Sequence, residues 1–303
     1  SRHRTNGGRR HVHSAAAGEE PSPMQSLVDA IRRHWPEYLM EAAGLGLFMV
    51  SASCVTVALE HPHSPLHAVI PDPTLRRVLI GLCMGLTAVA IIYSPWGKQS
   101  GAHLNPAVTL TFYRLGKIDG IDAFFYVIAQ SLGGLAGILL SAAAIGVAVE
   151  HPAVNHVVTV PGQDGPGLAF LAEMLISFGL MLTVLLVSNH QRLAPMTGLF
   201  AGSLVAIYIS LEAPLSGMSM NPARTFASAW PAHLWTAFWV YLTAPPIGML
   251  LAAEMYTKVR SLKQVYCAKL HHQNNKRCIF RCNYPELIQS NTAFEIPPAS
   301  QSR

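Results

Sequence analysis

Two triplets in this chain have residue types that could do chemistry together. Asn105-Pro106-Ala107 and Asn221-Pro222-Ala223 each follow a Ser-Gly pair after three intervening residues. Asn before Pro is a helix-start signature. The Asn oxygen caps the first turn, and Pro is tolerated at the first position because its missing N–H would have no partner there. The amide nitrogen is left as a donor. Two such starts facing each other would juxtapose two donors and two positive helix ends, each carrying about half a unit charge. That arrangement makes or breaks no bond. It orients a small hydrogen-bonding molecule and repels a cation.

Other residues surround this pair. Arg224 directly follows the second triplet, and Glu41 and Glu173 lie inside apolar runs. Near the C-terminus the chain reads CAKLHHQNNKRCIFRCNY. Here Cys267, His271 or His272, Cys278 and Cys282 supply donors of the type and number that tetrahedral zinc takes. In a reducing compartment a metal fits such cysteines better than a disulfide. The alternative is a basic tail lying on anionic lipid, with Ile279 and Phe280 touching the interface. His61, His63, His67, His151 and His156 fall on loops, where solvation is the plain reading and a response to pH or metal the other.

The elements that must position these groups follow from composition. Of 303 residues 51% are apolar and 12% charged, about half the charged share of a soluble domain. A soluble enzyme is excluded, and no nucleic-acid partner is implied. The chain opens on Ser1, which fits processing or truncation. Stretches long enough to cross a hydrocarbon core of about 30 Å lie near 39–60, 75–94, 121–149, 168–189, 195–214 and 234–257. Six spans put both tails on one face. Eighteen of the 21 Lys and Arg residues fall on that face, so both termini are expected in the cytoplasm. Residues 1–36 then form a basic N-terminal tail, 37–258 the membrane domain, and 259–303 a basic C-terminal tail, polar and disordered after about 285. Small-residue spacings at Gly81/Gly85, Gly133/Gly137 and Gly198/Gly202 predict close helix packing.

Residues 100–114 and 216–229 are too apolar for surface loops and too short to span. They resemble each other, and an internal repeat pairs spans one to three (about 37–150) with four to six (about 166–258). Each half has an odd number of spans, so the copies are inverted. The reading is therefore an all-α membrane protein of six transmembrane helices and two re-entrant half-helices, 106–114 and 222–229, whose N-termini meet near the midplane. Irregular backbone ahead of each half-helix is tolerated at that depth only if it lines a wet cavity.

With the motifs SGAHLNPAVT and SGMSMNPAR in matching halves, the chain resembles the major intrinsic protein family, the aquaporins and their relatives, from about Glu37 to Tyr256. The resemblance implies a passive channel and a homotetramer with one pore in each subunit. It gives Glu41 and Glu173, with Gln130 as a third brace, the role of holding the re-entrant loops, and it places His103 in the inner vestibule. It also implies a constriction that includes Arg224; counting back from the motifs puts the other three positions at Met84, Ile209 and Met218. Water-selective members usually carry an aromatic and a His at the first two, so this filter departs from that pattern. Thr225, Ala229 and Phe238-Trp239 match the water branch. The expected permeants are water and small uncharged solutes such as hydrogen peroxide, ammonia, small polyols or metalloid hydroxides. No cofactor is expected beyond the structural zinc of the tail. A secondary transporter and a membrane-anchored metal sensor are the competing readings. The expected location is the plasma membrane, and the lack of an Asn-x-Ser/Thr sequon leans toward a bacterial source.

Overall fold

The computed structural model describes residues 23–285. Arg2, Arg4, Arg9, Arg10 and the segment after 285 lie outside the described residues. The chain folds into helices α1 (Pro23–Glu60), α2 (Pro65–Val69), α3 (Pro73–Tyr93), α4 (Pro95–Ser100), α5 (Pro106–Arg114), α6 (Gly120–Ile145), α7 (Gly165–Ser188), α8 (Thr197–Leu211), α9 (Ala213–Ser216), α10 (Pro222–Ala232) and α11 (Phe238–Arg260), with short 3-10 turns between some of them. Among the described residues, six helical stretches are long and apolar enough to cross a membrane; they hold α1, α3, α6, α7, α8 and α11.

The first helix corrects a boundary. Residues 23–36, read as tail because of Arg32 and Arg33, continue the helix back to Pro23. At 1.5 Å per residue, its 38 residues reach about 57 Å, well beyond the bilayer core. The extension is held from the side. His34 Nδ1 and the Tyr38 hydroxyl both meet the Asp122 carboxylate of α6, at 2.7 and 2.6 Å.

The packing is internally two-fold. α1 packs on α6 as α7 packs on α11, and α3 packs on α8 across the centre. α5 lies against α11 of the other half, and α10 lies against α6. Glycines make these approaches possible. A Cβ on Gly85 would stand 2.5 Å from the Gly202 carbonyl, and one on Gly202 2.6 Å from the Gly85 carbonyl. Gly133 meets the Ala42 carbonyl as Gly248 meets that of Met174, one residue after Glu41 and Glu173 respectively. In the absence of a hydrophobic drive between helices in lipid, such contact is what van der Waals packing can use.

Each re-entrant arm is a short helix, a turn and a half-helix. α4 and α9 end at Gly101 (φ 96°) and Gly217 (φ 80°), in left-handed backbone that glycine adopts without strain. The arms then run in extended backbone broken by left-handed residues, Ala102 and Leu104 in one and Met218 and Met220 in the other. α5 and α10 follow, the second reaching Ala232, three residues past the expected end. Beyond α11, residues 262–284 do not trail away. They fold back over the face from which α1 starts and α11 ends, here called the tail face.

Candidate functional site

The two arms are held by buried carboxylates. Glu41 accepts hydrogen bonds from the backbone N–H groups of His103 (3.0 Å) and Leu104 (2.6 Å), from the Ser100 hydroxyl (2.7 Å) and from Gln130 Nε2 (2.8 Å). Glu173 does the same for Ser219 N–H (2.6 Å), Met220 N–H (2.7 Å) and the Ser216 hydroxyl (2.8 Å). Both are fully buried. They satisfy donors that the irregular backbone would otherwise leave orphaned at membrane depth. Two tyrosines complete the set: Tyr126 donates to the Ser100 carbonyl and Tyr241 to the Ser216 carbonyl. The sequence reading noted these serines only as part of each Ser-Gly pair and did not single out the tyrosines. A signal existed, since Tyr126 stands four residues before Gln130 and Tyr241 four before Pro245.

At the half-helix starts, Asn105 Oδ1 caps Ala107 N–H at 2.8 Å, and Asn221 Oδ1 caps Ala223 and Arg224 N–H at 3.0 and 3.2 Å. The amide nitrogens reach across. Asn105 Nδ2 donates to the Met220 carbonyl and Asn221 Nδ2 to the Leu104 carbonyl, each at 2.7 Å. Each amide nitrogen, expected as a donor to the pore, therefore divides its two N–H groups. One N–H of each pins the opposite arm, and one remains for the cavity that both residues line. The left-handed backbone at Leu104 and Met220 is what aims those carbonyls.

A single cavity of about 340 Å³ contains the junction. Met84, Ile209, Met218 and Arg224 all line it, and so does Phe48 of α1, an aromatic that counting back from the motifs could not find. Met84 and Met218 are buried. Arg224 Nη1 is buried with no partner among the described residues, a donor free for a guest. The same end is lined by Val154 and Val157 from the loop between the halves, and by Thr56 and Arg77, whose Nε donates to the Ser210 carbonyl at 2.9 Å. On the loops of this same face, away from the tail, the His61 ring lies 4.7 Å from that of His151 and 5.7 Å from that of His63.

At the tail face the cavity ends on Leu270. His103 also lines it, but its ring is held: Nε2 lies 3.0 Å from the Ala268 carbonyl. A carbonyl can only accept, so Nε2 carries the proton and Nδ1 accepts from Thr109 at 3.1 Å. Phe280 stacks on the His103 ring with centroids 5.4 Å apart. Leu270 N–H donates to the Gly101 carbonyl at 3.1 Å, inside the first arm.

The same tail brings together Cys267, His272, Cys278 and Cys282, whose ligand atoms all lie within 4.8 Å of one another. Cys267 Sγ is 3.6 Å from Cys278 Sγ, and Cys282 Sγ is 3.0 Å from His272 Nε2. His271, the alternative donor in the sequence, is directed elsewhere; its ring packs edge-on against Tyr93 at 5.0 Å. Lys269 is buried beside the group and donates to the carbonyls of Lys276 and Arg277 at 3.2 and 2.7 Å. Burial pushes its ammonium below the usual lysine range, and the charges available on Cys278, Cys267 and Cys282 act against that.

Six spanning helices in inverted halves, with two capped half-helices meeting in a central cavity, define a polytopic membrane channel fold of the aquaporin type. The family model for major intrinsic proteins matches residues 30–256. The chain is 33% identical over 227 residues to "Probable aquaporin NIP-type" of Nicotiana alata, covering 74% of this chain and 77% of that one. It is 39% identical over 174 residues to "Aquaporin NIP6-1" of Arabidopsis thaliana, spanning 57% of this chain and about half (55%) of that relative. The solved aquaglyceroporin of Plasmodium falciparum superposes with a TM-score of 0.59 at 23% identity, over 75% of this chain and 96% of that one, a likeness of fold. The chain therefore belongs to the major intrinsic protein family. Both relatives are plant proteins, so the leaning toward a bacterial source has no support from them.

Proposed function

We propose that the chain is a passive channel for water and small uncharged solutes. The observation that carries this reading is the junction itself. Two half-helix N-termini face one cavity, Asn105 and Asn221 each keep one amide N–H for it, and Arg224 adds a free guanidinium N–H above. A water at the centre accepts from the amides and turns its own hydrogens outward, which breaks a proton-conducting chain. The positive helix ends and Arg224 oppose cations; half-helix dipoles and an Arg are known devices for this in pores of this type. Met84, Ile209 and Met218 give the constriction apolar walls, so a small solute with an apolar edge finds contact there while Arg224 holds its polar edge.

A coupled transporter would need a charged pair or cation site at the midplane. Glu41 and Glu173, the acidic residues at that depth, are spent on backbone N–H groups. The distribution of basic residues supports cytoplasmic termini, and the family supports a homotetramer in a plasma membrane. Stopped-flow light scattering on proteoliposomes, comparing an osmotic step in an impermeant solute with one in glycerol, tests the reading. Because the tail covers one mouth, the protein is assayed both as purified and after chelation. Water permeability above that of protein-free vesicles is expected in at least one state, with no ion leak. Neither state conducting water would refute it.

A further inference from the structure

We propose that Cys267, His272, Cys278 and Cys282 bind one zinc ion, and that the loaded site locks residues 265–284 as a plug over the tail-side mouth of the pore. The plug rests on the channel reading above; the metal site does not.

The donor set comes first. Three thiols and one imidazole within 4.8 Å make a closed Cys3His set, the pattern of structural zinc. Zn–S bonds of 2.3 Å at tetrahedral angles put sulfurs about 3.8 Å apart, and the Cys267–Cys278 pair stands at 3.6 Å. The four residues come from a segment of irregular backbone only 16 residues long, so something other than helix or strand hydrogen bonds must hold it. A second observation is independent of the ligands. Lys269 is 2% exposed and packs within the same loop, donating to the two carbonyls just before Cys278. Three thiolates, one neutral imidazole and Zn2+ sum to one negative charge. The geometry holds the Lys269 amine beside the donor set, where the net charge of such a centre would need a counter-charge.

The position of the loop gives the consequence. Its anchors run around the whole mouth and belong to both halves. Tyr266 N–H donates to Asn189 Oδ1 at the end of α7 (2.8 Å), and Arg281 N–H to the Lys117 carbonyl after α5 (2.9 Å). The Arg281 guanidinium pairs with Asp119 at 3.1 Å. Arg277 pairs with the buried Glu37 of α1 and donates to the Arg33 carbonyl at 2.7 Å. Inside this ring, Leu270 lines the end of the cavity, the Ala268 carbonyl accepts the Nε2–H of His103, and Phe280 covers Gly101 closely enough that a Cβ there would meet its ring at 2.8 Å. The metal centre thus sits on the loop that holds the stopper. Losing the ion removes the cross-link between Cys267, His272, Cys278 and Cys282, leaves the loop to its peripheral anchors alone, and the loop lifts. Metal binding and folding of such a segment are one equilibrium.

The test uses the full-length chain in proteoliposomes, with zinc content by elemental analysis and water permeability by stopped flow. Three proteins are compared: the wild type with zinc and after chelation, the pair Cys278→Ser/Cys282→Ser, and Leu270→Ala/Phe280→Ala, which leaves the ligands in place. One zinc per wild-type chain is expected. Chelation or loss of the cysteines should raise water permeability several-fold, and re-adding zinc should reverse the rise in the wild type alone. Leu270→Ala/Phe280→Ala should keep its zinc and still conduct several-fold better. Co2+ substitution, read by its thiolate charge-transfer absorption, reports the ligand set without any transport. No stoichiometric metal in the wild type overturns the site. Zinc that is bound but can be removed without any change in flux overturns the plug. If zinc follows the cysteines but no protein in any state conducts above protein-free vesicles, the channel reading fails and the plug with it.

Discussion

Asn105 donates its amide N–H to the carbonyl of Met220, 2.7 Å away on the opposite arm, and Asn221 returns the same bond to Leu104. Each residue therefore caps its own half-helix and ties the other. The bond explains why left-handed backbone is maintained at Leu104 and Met220, where a non-glycine residue costs about 1–3 kcal/mol. The two arms are mutually fixed, and the junction is rigid where a solute must pass.

Asn221→Asp tests the junction. The carboxylate keeps the capping oxygen but turns an oxygen toward the Leu104 carbonyl and places charge between the two helix ends. Water permeability should fall by an order of magnitude or more while the folded tetramer or monomer still elutes as wild type; Asn105→Asp should do likewise. Unchanged flux in a well-folded variant would remove the amides from the mechanism.

Glu173→Ala tests the brace. It orphans the buried N–H groups of Ser219 and Met220, each costing about 1–3 kcal/mol. A lower Tm and a lower water permeability should appear together. Glu41→Ala should behave similarly, with Gln130 losing a partner as well. A Tm equal to wild type would contradict the assignment.

Gly85→Val places a branched side chain where even a Cβ would lie 2.5 Å from the Gly202 carbonyl. α3 and α8 must separate, at about 1–3 kcal/mol or more. Thermal unfolding in detergent should shift down, whereas the same change at Gly116, whose Cβ position is open though its φ is positive, should cost only backbone strain.

Met84→Phe with Ile209→His tests the constriction. The aromatic narrows it and the imidazole restores a polar partner opposite Arg224. Permeability to glycerol and other small neutral solutes should drop relative to water, with no ion leak. A wild type that passes water alone, and a double variant identical to it, would show that these side chains do not line the narrowest point.

How much of this was legible depends on whether the signal was local. The half-helix starts were, because Asn-Pro carries its own cap and start, and the repeat of Ser-Gly and Asn-Pro-Ala was enough to infer inversion. The start of α1 was not. Arg32 and Arg33 read as tail, and only Asp122, nearly ninety residues on, shows through its bonds to His34 and Tyr38 why the helix continues. Gly248, the counterpart of Gly133 and close to the Met174 carbonyl, was missed because its neighbours at four-residue spacing are Ala244 and Ala252, while the reading followed only Gly-Gly pairs. In the tail, residue types suggested a metal but adjacency could not choose between His271 and His272; the chain direction does, sending His271 to Tyr93. That the tail returns to His103 was invisible, since Ala268 meets it through a backbone carbonyl, which no side-chain type encodes.

The central claim is passive passage through the Asn105–Asn221 junction. Its most direct test is the temperature dependence of osmotic shrinkage in proteoliposomes, with no ion gradient and after treatment with a chelator. An open file of water predicts fast shrinkage with an activation energy near that of water diffusing in bulk, lost in Asn221→Asp. Shrinkage with the high activation energy of protein-free vesicles, or flux that requires an ion gradient, would contradict it.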